Sequence, residues 1–446
     1  MAGMVNAQAS ATLEASPVTG ESRSYGAPLA ALTSLFFMWG FLTCMNDIII
    51  PHLKAVFELS YARAMMIQFA FFAAYFIMSL PAGVFVKRVG YKSGICAGLL
   101  VAATGCVLFY PAAGARSYAL FLSALFVLAS GITLLQVAAN PFVTALGKPE
   151  SASARLTLTQ AFNSLGTTIA PIFGSAVVLS TAVKSKAELA GMTTAALDAY
   201  RTSEAASVQR PYLALAVTLV LLAAAMAAFR LPRLNPSSHA SAPSTTAGSI
   251  WRTRHLVLGA VAIFLYVGGE VAIGSFLVNF FKLPEIGGLS EAAGAKLVSL
   301  YWGGAMVGRF VGTFTLRRFD PRRVLGLHAA GAVLLITLAM FTHGAVAVYS
   351  ILAVGLFNSI MFPTIFALAI EGLGERTGQA SGIVCMAIVG GAIVPVLQGA
   401  LADSIGVQHA FALAALCYLY IAWYGPRGSV PVASPIGAHD FLVKGS

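Results

Sequence analysis

The chain has 446 residues, of which 58% are hydrophobic and only 10% charged, and it carries a formal net charge of +11. A water-soluble domain carries roughly 25% charged residues, so this chain has too few to coat a water-facing surface, and the bilayer is the expected solvent. The basic residues are scattered through short connections, which excludes a nucleic-acid-binding domain.

Residues 1–28 are polar and rich in Ala and Ser, with no basic start before a short apolar core. They read as a disordered tail and not as a cleaved signal peptide. A membrane-spanning helix needs about 20 mostly apolar residues. Six such runs follow, at 29–53, 63–86, 93–111, 118–142, 156–180 and 211–229. Within this first half, 181–210 is a long polar loop with room for short helices. A Pro/Ser/Thr-rich linker occupies 230–254. Six more runs lie at 255–281, 295–316, 324–342, 345–371, 379–401 and 408–424, and a short tail closes the chain at 425–446. In lipid a helix satisfies its own backbone. The expected fold is therefore an all-α membrane protein, with one six-helix bundle over 29–229 and another over 255–424. Basic segments such as KRVGYK (87–92) and RRFDPRR (317–323) lie on the side of both termini. The positive-inside rule makes that side cytoplasmic.

The two halves repeat. AANPFVTALG ends the fourth run and MFPTIFALAIEGLG the tenth. Aligning Pro141 with Pro363 sets Gln136 opposite Asn358. Gly166-x4-Pro171 in the fifth run matches Gly390-x4-Pro395 in the eleventh. Twin six-span halves joined by a central linker are a transporter architecture, with substrate held between them near the midplane.

Acids are nearly confined to loops and tails. Asp47 and Glu270 are the two deep inside spans. An ionisable group there marks an ion, proton or substrate site by default; the structural alternative for Glu270 is an ion pair with Arg309. Gln136 and Asn140 share a helix face, as do Gln160 and Asn163. Asn279 and Asn358 are further intramembrane amides. Such groups offer the donors and acceptors that sugar hydroxyls need, or they hold helices together. Trp39, Phe162, Tyr266 and Trp302 could stack on a sugar ring or simply pack. Arg88, Arg317 and Arg318 are expected at the cytoplasmic face as gate or anchor groups.

Enzyme signatures are missing: there is no Walker A loop, no HExxH and no GxSxG. The seven histidines show no ligand spacing, and the five cysteines (Cys44, Cys96, Cys106, Cys385, Cys417) form no CxxC pair. Free thiols are expected, with no metal and no cofactor.

GVFVKRVGYKSG resembles the loop motif of the major facilitator superfamily in Gly83, Arg88, Gly90 and Lys92, with Lys87 where an acid is usual. FFMWGFLTCMNDIIIPHLK, LLQVAANPFVTALG, LTQAFNSLGTTIAP, YVGGEVAIGSFLVNFF and MFPTIFALAIEGLG resemble the fucose–galactose–glucose symporter family, most of all its bacterial glucose/galactose branch. The likeness covers about 29–424. It implies a proton- or sodium-driven hexose importer of the inner membrane, with proton preferred. By resemblance, Asp47 matches the family's essential first-span acid, and Gln160 and Asn163 match sugar-site amides. Gln136 replaces a coupling glutamate of the fucose carrier. Glu270 matches the glucose/galactose branch and could supply the missing acid. The expected protein is a monomer that works without nucleic acid. The competing readings are a drug or metabolite antiporter on the same fold and a non-transporting sugar sensor.

Overall fold

The computed structural model describes residues 26–56, 61–115, 117–177, 188, 191–229, 231–232 and 249–431, with the side chains of 45–56, 61–65, 68, 171–177, 201, 204–208 and 291–292 left out. The expected tails and linker fall largely on 1–25, 233–248 and 432–446, outside the described residues.

The first half holds α1 (Gly26–Val56), α2 (Tyr61–Val89), α3 (Tyr91–Gly114), α4 (Tyr118–Ala145), α5 (Ala152–Val177) and α6 (Thr194–Ala228). The second holds α7 (Arg254–Lys282), α8 (Glu291–Arg318) and α9 (Pro321–Phe341). Its last three spans are each broken in two. They are α10 (Gly344–Asn358) with α11 (Met361–Ala369), α12 (Thr377–Met386) with α13 (Gly390–Ile405), and α14 (Val407–Ala410) with α15 (Ala412–Trp423).

Local chemistry sets the starts. The side chains of Ser117, Thr193 and Ser290 each accept from a backbone N–H three residues on. Asp320 accepts from the Arg322 N–H at 3.0 Å, with Pro321 as the first helical residue of α9. Both devices satisfy the free donors of a helix N-terminus. Gly90, at φ 83°, makes the tight turn from α2 into α3; only glycine adopts that backbone without strain.

Among the described residues, ten helical segments are long and apolar enough to cross a membrane. The two expected spans not among them are α5 and α8. Their sequences explain this: α5 is rich in Ser, Thr, Asn and Gln, and α8 carries Lys296, Arg309, Arg317 and Arg318. These two helices pack on each other across the halves, where Arg309 of α8 meets Ser164 of α5, while Lys296, Arg317 and Arg318 are exposed.

Within the first half α3 packs on α4 and α6, and α1 on α5. Within the second, α7 packs on α13 and α15, and α10 on α8 and α9. Contacts between halves run through α2 with α12, α5 with α8 and α11, and α4 with α12. They gather at the end that carries the α2–α3 and α8–α9 connections. There α2 and α12 touch backbone to backbone. A Cβ on Gly382 would stand 2.6 Å from the Ser79 carbonyl oxygen, and one on Gly83 would stand 2.9 Å from that of Gly378.

The polar loop 181–210, expected to have room for short helices, is helical from Thr194, because α6 continues well past its apolar part. Two expectations are corrected. The tenth, eleventh and twelfth runs are not single helices. The tail does not begin at 425: Tyr424–Gly428 forms a π-turn, and buried Tyr424 donates to the His255 carbonyl at 3.4 Å.

Candidate functional site

The site begins with two prolines. Proline has no N–H, so it leaves the carbonyl four residues earlier without its helical donor. Pro141 frees the Val137 carbonyl on α4, which the Ser381 hydroxyl of α12 takes at 2.9 Å. Pro363 frees the Ser359 carbonyl at the α10–α11 break, which Arg309 Nε takes at 3.2 Å. The repeat recognised in the sequence thus places an unmet carbonyl in each half, and each finds a partner from a different helix.

Around the first carbonyl lie the amides of α4 and α5. Gln136, Asn140 and Gln160 are buried. Gln136 Oε1, both polar atoms of Asn140 and Gln160 Nε2 have no hydrogen-bond partner. Buried polar groups are rarely left unmet, so these atoms mark a place built for something polar. Asn163 is spoken for in part: its Nδ2 donates to the Phe36 carbonyl at 3.0 Å and pins α5 to α1. Trp39 is buried, its ring 5.3 Å from that of Phe36. Asp47 belongs to α1, but its side chain lies outside the described residues.

Around the second carbonyl lies the Glu270 cluster. The Tyr266 hydroxyl is 2.8 Å from Glu270 Oε1 and 3.1 Å from the Asn358 carbonyl. Asn358 Nδ2 donates to the Tyr301 hydroxyl at 2.7 Å, and that hydroxyl donates to the backbone carbonyl of Glu270 at 3.3 Å. Tyr266, Tyr301 and Asn358 are all buried. Asn358 Oδ1 and the nearby Tyr418 hydroxyl remain unmet. Tyr266 is therefore a hydrogen-bonding residue here and not an open stacking surface.

Arg309 joins the two clusters. Besides Ser359, its guanidinium donates to the Ser164 hydroxyl of α5. Ser164 is one turn from Gln160, and Ser359 is next to Asn358. The expected structural alternative, an ion pair between Glu270 and Arg309, does not form. Arg309 spends its donors on the freed carbonyl and on the first half, and Glu270 is met by Tyr266.

Some expected residues stand apart. Asn279 is exposed near the end of α7, nine residues and so about 13 Å along the helix from Glu270. Trp302 is 45% exposed and packs edge-on against Tyr301. Phe162 packs on Phe310, 5.9 Å between ring centres, across the α5–α8 contact.

Arg88, Arg317 and Arg318 are exposed at the basic end, away from both clusters. Arg317 and Arg318 line a cavity of about 530 Å³ with Thr144, Asp320, Glu371 and Thr377. It holds none of the expected substrate amides, so it is a vestibule at that end. At its wall Arg322 pairs with Glu371 at 2.5 Å. Arg155 donates to the carbonyls of Val143, Thr144 and Lys148 and so fixes the end of α4. Burial lowers the Arg155 pKa to about 10, partly offset by the Glu150 charge, so it stays cationic at neutral pH.

Sequence reasoning missed Ser164, Ser359, Ser381 and the tyrosine hydroxyls. The signal for Ser359 and for the carbonyl that Ser381 meets was present, four residues before each aligned proline. Tyr266 lies four residues from Glu270 on the same helix, whereas the other partners come from other helices and carry no local mark.

The profile described as Major Facilitator Superfamily matches residues 29–388. A glucose/galactose transporter of Brucella abortus is 56% identical over 411 residues, 92% of this chain and 96% of that protein. The L-fucose-proton symporter of Escherichia coli is 38% identical over 408 residues, 90% of this chain and 93% of that one. A crystal structure described as the major facilitator transporter FucP in the outward conformation superposes with a TM-score of 0.85 at 37% identity, covering 92% of this chain and all of that one. Matching helices, matching repeat and matching sequence lead to one conclusion: the chain belongs to the major facilitator superfamily, with twelve transmembrane helices in two pseudo-symmetric six-helix bundles.

Proposed function

We propose that this protein is a secondary active hexose symporter of the bacterial inner membrane, driven by a cation, the proton in preference to sodium. The observation that carries the reading is the pair of buried polar clusters joined at Arg309. Gln136, Asn140 and Gln160 from one bundle and Asn358 and Tyr418 from the other hold unmet donors and acceptors inside a membrane protein, with the Glu270 carboxyl beside them. A sugar ring carries hydroxyls that both donate and accept, and it would satisfy them. The names of the relatives, glucose/galactose transporter and L-fucose-proton symporter, support the same substrate class. Asp47 and Glu270 are the coupling carboxyls in this reading, because coupling needs a group whose charge differs between the two faces. Both termini are cytoplasmic, and the close α2–α12 contact closes the cytoplasmic side. The protein acts as a monomer that moves sugar by alternating access, without a cofactor.

The test is uptake into liposomes containing purified protein. Labelled glucose, galactose, mannose, fucose and N-acetylglucosamine are offered under an imposed proton gradient, then under a sodium gradient. Accumulation of at least one hexose above equilibrium, under the proton gradient, is the expected result. Binding without flux would favour a sensor. Export of lipophilic compounds with no sugar uptake would favour the antiporter.

A further inference from the structure

We infer that Tyr266 is a positioning residue that carries the protonation state of Glu270 to the break in the tenth span. It does so by turning its single hydroxyl hydrogen between the Glu270 carboxyl and the Asn358 carbonyl. The inference rests on the reading of Glu270 as a proton-coupling group and adds to it a route and a readable consequence.

The argument is a count of hydrogens. A tyrosine hydroxyl has one hydrogen to donate. Two acceptors lie within reach, Glu270 Oε1 at 2.8 Å and the Asn358 carbonyl at 3.1 Å. An ionised carboxylate only accepts, and a hydrogen bond to it is the stronger one. With Glu270 ionised the Tyr266 hydrogen therefore points to the carboxylate, and the Asn358 carbonyl goes without. When Glu270 takes a proton from a hydronium ion, its carboxyl becomes a donor. It then donates to Tyr266 Oη, and the tyrosine hydrogen turns to Asn358. One O–H bond forms on the carboxyl as one breaks on the hydronium, which leaves as water, and the network passes from one hydrogen bond to two.

The receiving end is where such a change has effect. Asn358 ends α10, where carbonyls lack intrahelical donors. The next carbonyl, Ser359, is held by Arg309, whose other contact is Ser164 in the first bundle. The Asn358 side chain bonds Tyr301, and Tyr301 bonds the backbone of Glu270 itself. A hydrogen that arrives at or leaves the break is thus one residue from the contact between bundles. The two-position hydrogen is the bistable element that a coupling claim requires.

The groups facing Glu270 and Tyr266 can be named element by element. From α8 come Arg309 and Tyr301. From α15 come Tyr418 and Cys417, which lie against Gly269. From α13, Val394 lies against Gly268 and brings no ionisable group. From α1, the Asp47 side chain is outside the described residues.

The test compares Tyr266→Phe with Glu270→Gln in liposomes, using whichever of labelled glucose or galactose the wild type accumulates. Proton-driven accumulation is expected to fall about tenfold or more in both variants, and the pH profile of uptake is expected to flatten in both. A Tyr266→Phe protein with the wild-type pH profile, beside an impaired Glu270→Gln, would overturn the relay and leave Glu270 standing. A Glu270→Gln protein with wild-type accumulation would remove the coupling reading and the relay with it. If Tyr266→Phe does not fold, infrared difference spectra of the wild type with ring-labelled tyrosine decide. A tyrosine band that shifts between alkaline and acid pH, and is absent in Glu270→Gln, is expected. A missing tyrosine shift in the wild type would overturn the proposal.

Discussion

At the scale of single residues, what decides a polar side chain's role is whether its atoms are already met. Asn140 and Asn163 looked alike in the sequence, as amides one helix face apart from a second amide. In the structure Asn163 holds the Phe36 carbonyl, and Asn140 holds nothing. Replacing an unmet buried polar group by an apolar one of similar shape is close to neutral for stability, whereas removing one partner of a made bond costs roughly 1–3 kcal/mol. Asn140→Leu is therefore expected to melt at or above the wild-type temperature and to bind sugar at least about tenfold more weakly. Asn163→Ala should lose both stability and affinity, the latter by about 5- to 150-fold. Wild-type affinity in a folded Asn140→Leu protein, by calorimetry or fluorescence, would remove Asn140 from the site. Glu270 and Arg309 make a second residue-scale case. With no ion pair between them, Arg309→Ala leaves no relieved charge behind, so it should not restore folding or uptake to Glu270→Gln. Restoration in the double variant, read from detergent-solubilised yield and uptake, would reinstate the pair.

At the scale of elements, α2 and α12 approach each other backbone to backbone where the two halves meet. Gly382 faces the Ser79 carbonyl at a distance that no real Cβ tolerates, 2.6 Å, with the Gly83 Cα 3.3 Å away. Neither neighbour is a flexible side chain that could move aside. Gly382→Val should wedge the bundles apart at this end. Spin labels at exposed Ser93 and Glu375, in a background without native cysteines, should report longer distances in the variant. Unchanged distances would mean that α2 and α12 yield locally and that this contact does not set the state. The broken tenth span belongs to the same scale. Pro363 opens it, and Arg309 and Tyr266 then supply donors to its last carbonyls, so an element broken by its own sequence is held by side chains from two others.

At the scale of the whole molecule, the two bundles separate chemistry from topology. The polar clusters lie along the interface, and the basic end carries Arg88, Arg317 and Arg318 around a vestibule without substrate amides. Arg317→Gln with Arg318→Gln should slow transport or disturb insertion, with equilibrium sugar affinity kept within about twofold. A large affinity loss at normal rate would put these arginines in the sugar site. Asp47→Asn should abolish uphill accumulation while sugar exchange persists, because exchange needs the cavity and accumulation needs the titrating charge. Gradient-driven uptake at the wild-type level in that variant would sink its coupling role.

Hydropathy is a local property and the repeat a pattern of sequence, and both were legible in the residues. A bilayer accepts only segments that satisfy their own backbone, so apolar runs of sufficient length had to be helices. Two intramembrane acids stood out because everything around them was apolar. The aligned prolines, read in the sequence only as a repeat, carried a further signal, since proline frees the carbonyl of the residue four before it. What filled those places was decided by the tertiary structure alone. Ser381 is 244 residues from Val137, and Arg309 is 145 from Ser164; no spacing rule reaches that far. Glu270 divides between the two. Tyr266 stands four residues before it on one face of α7, a local pair that helical spacing sets, whereas the packing of α8 against α10 and α5 turned Arg309 toward the freed Ser359 carbonyl and the opposite bundle. A hydrogen bond needs its donor within about 3 Å of its acceptor, and only the packed helices determine which atoms come that close.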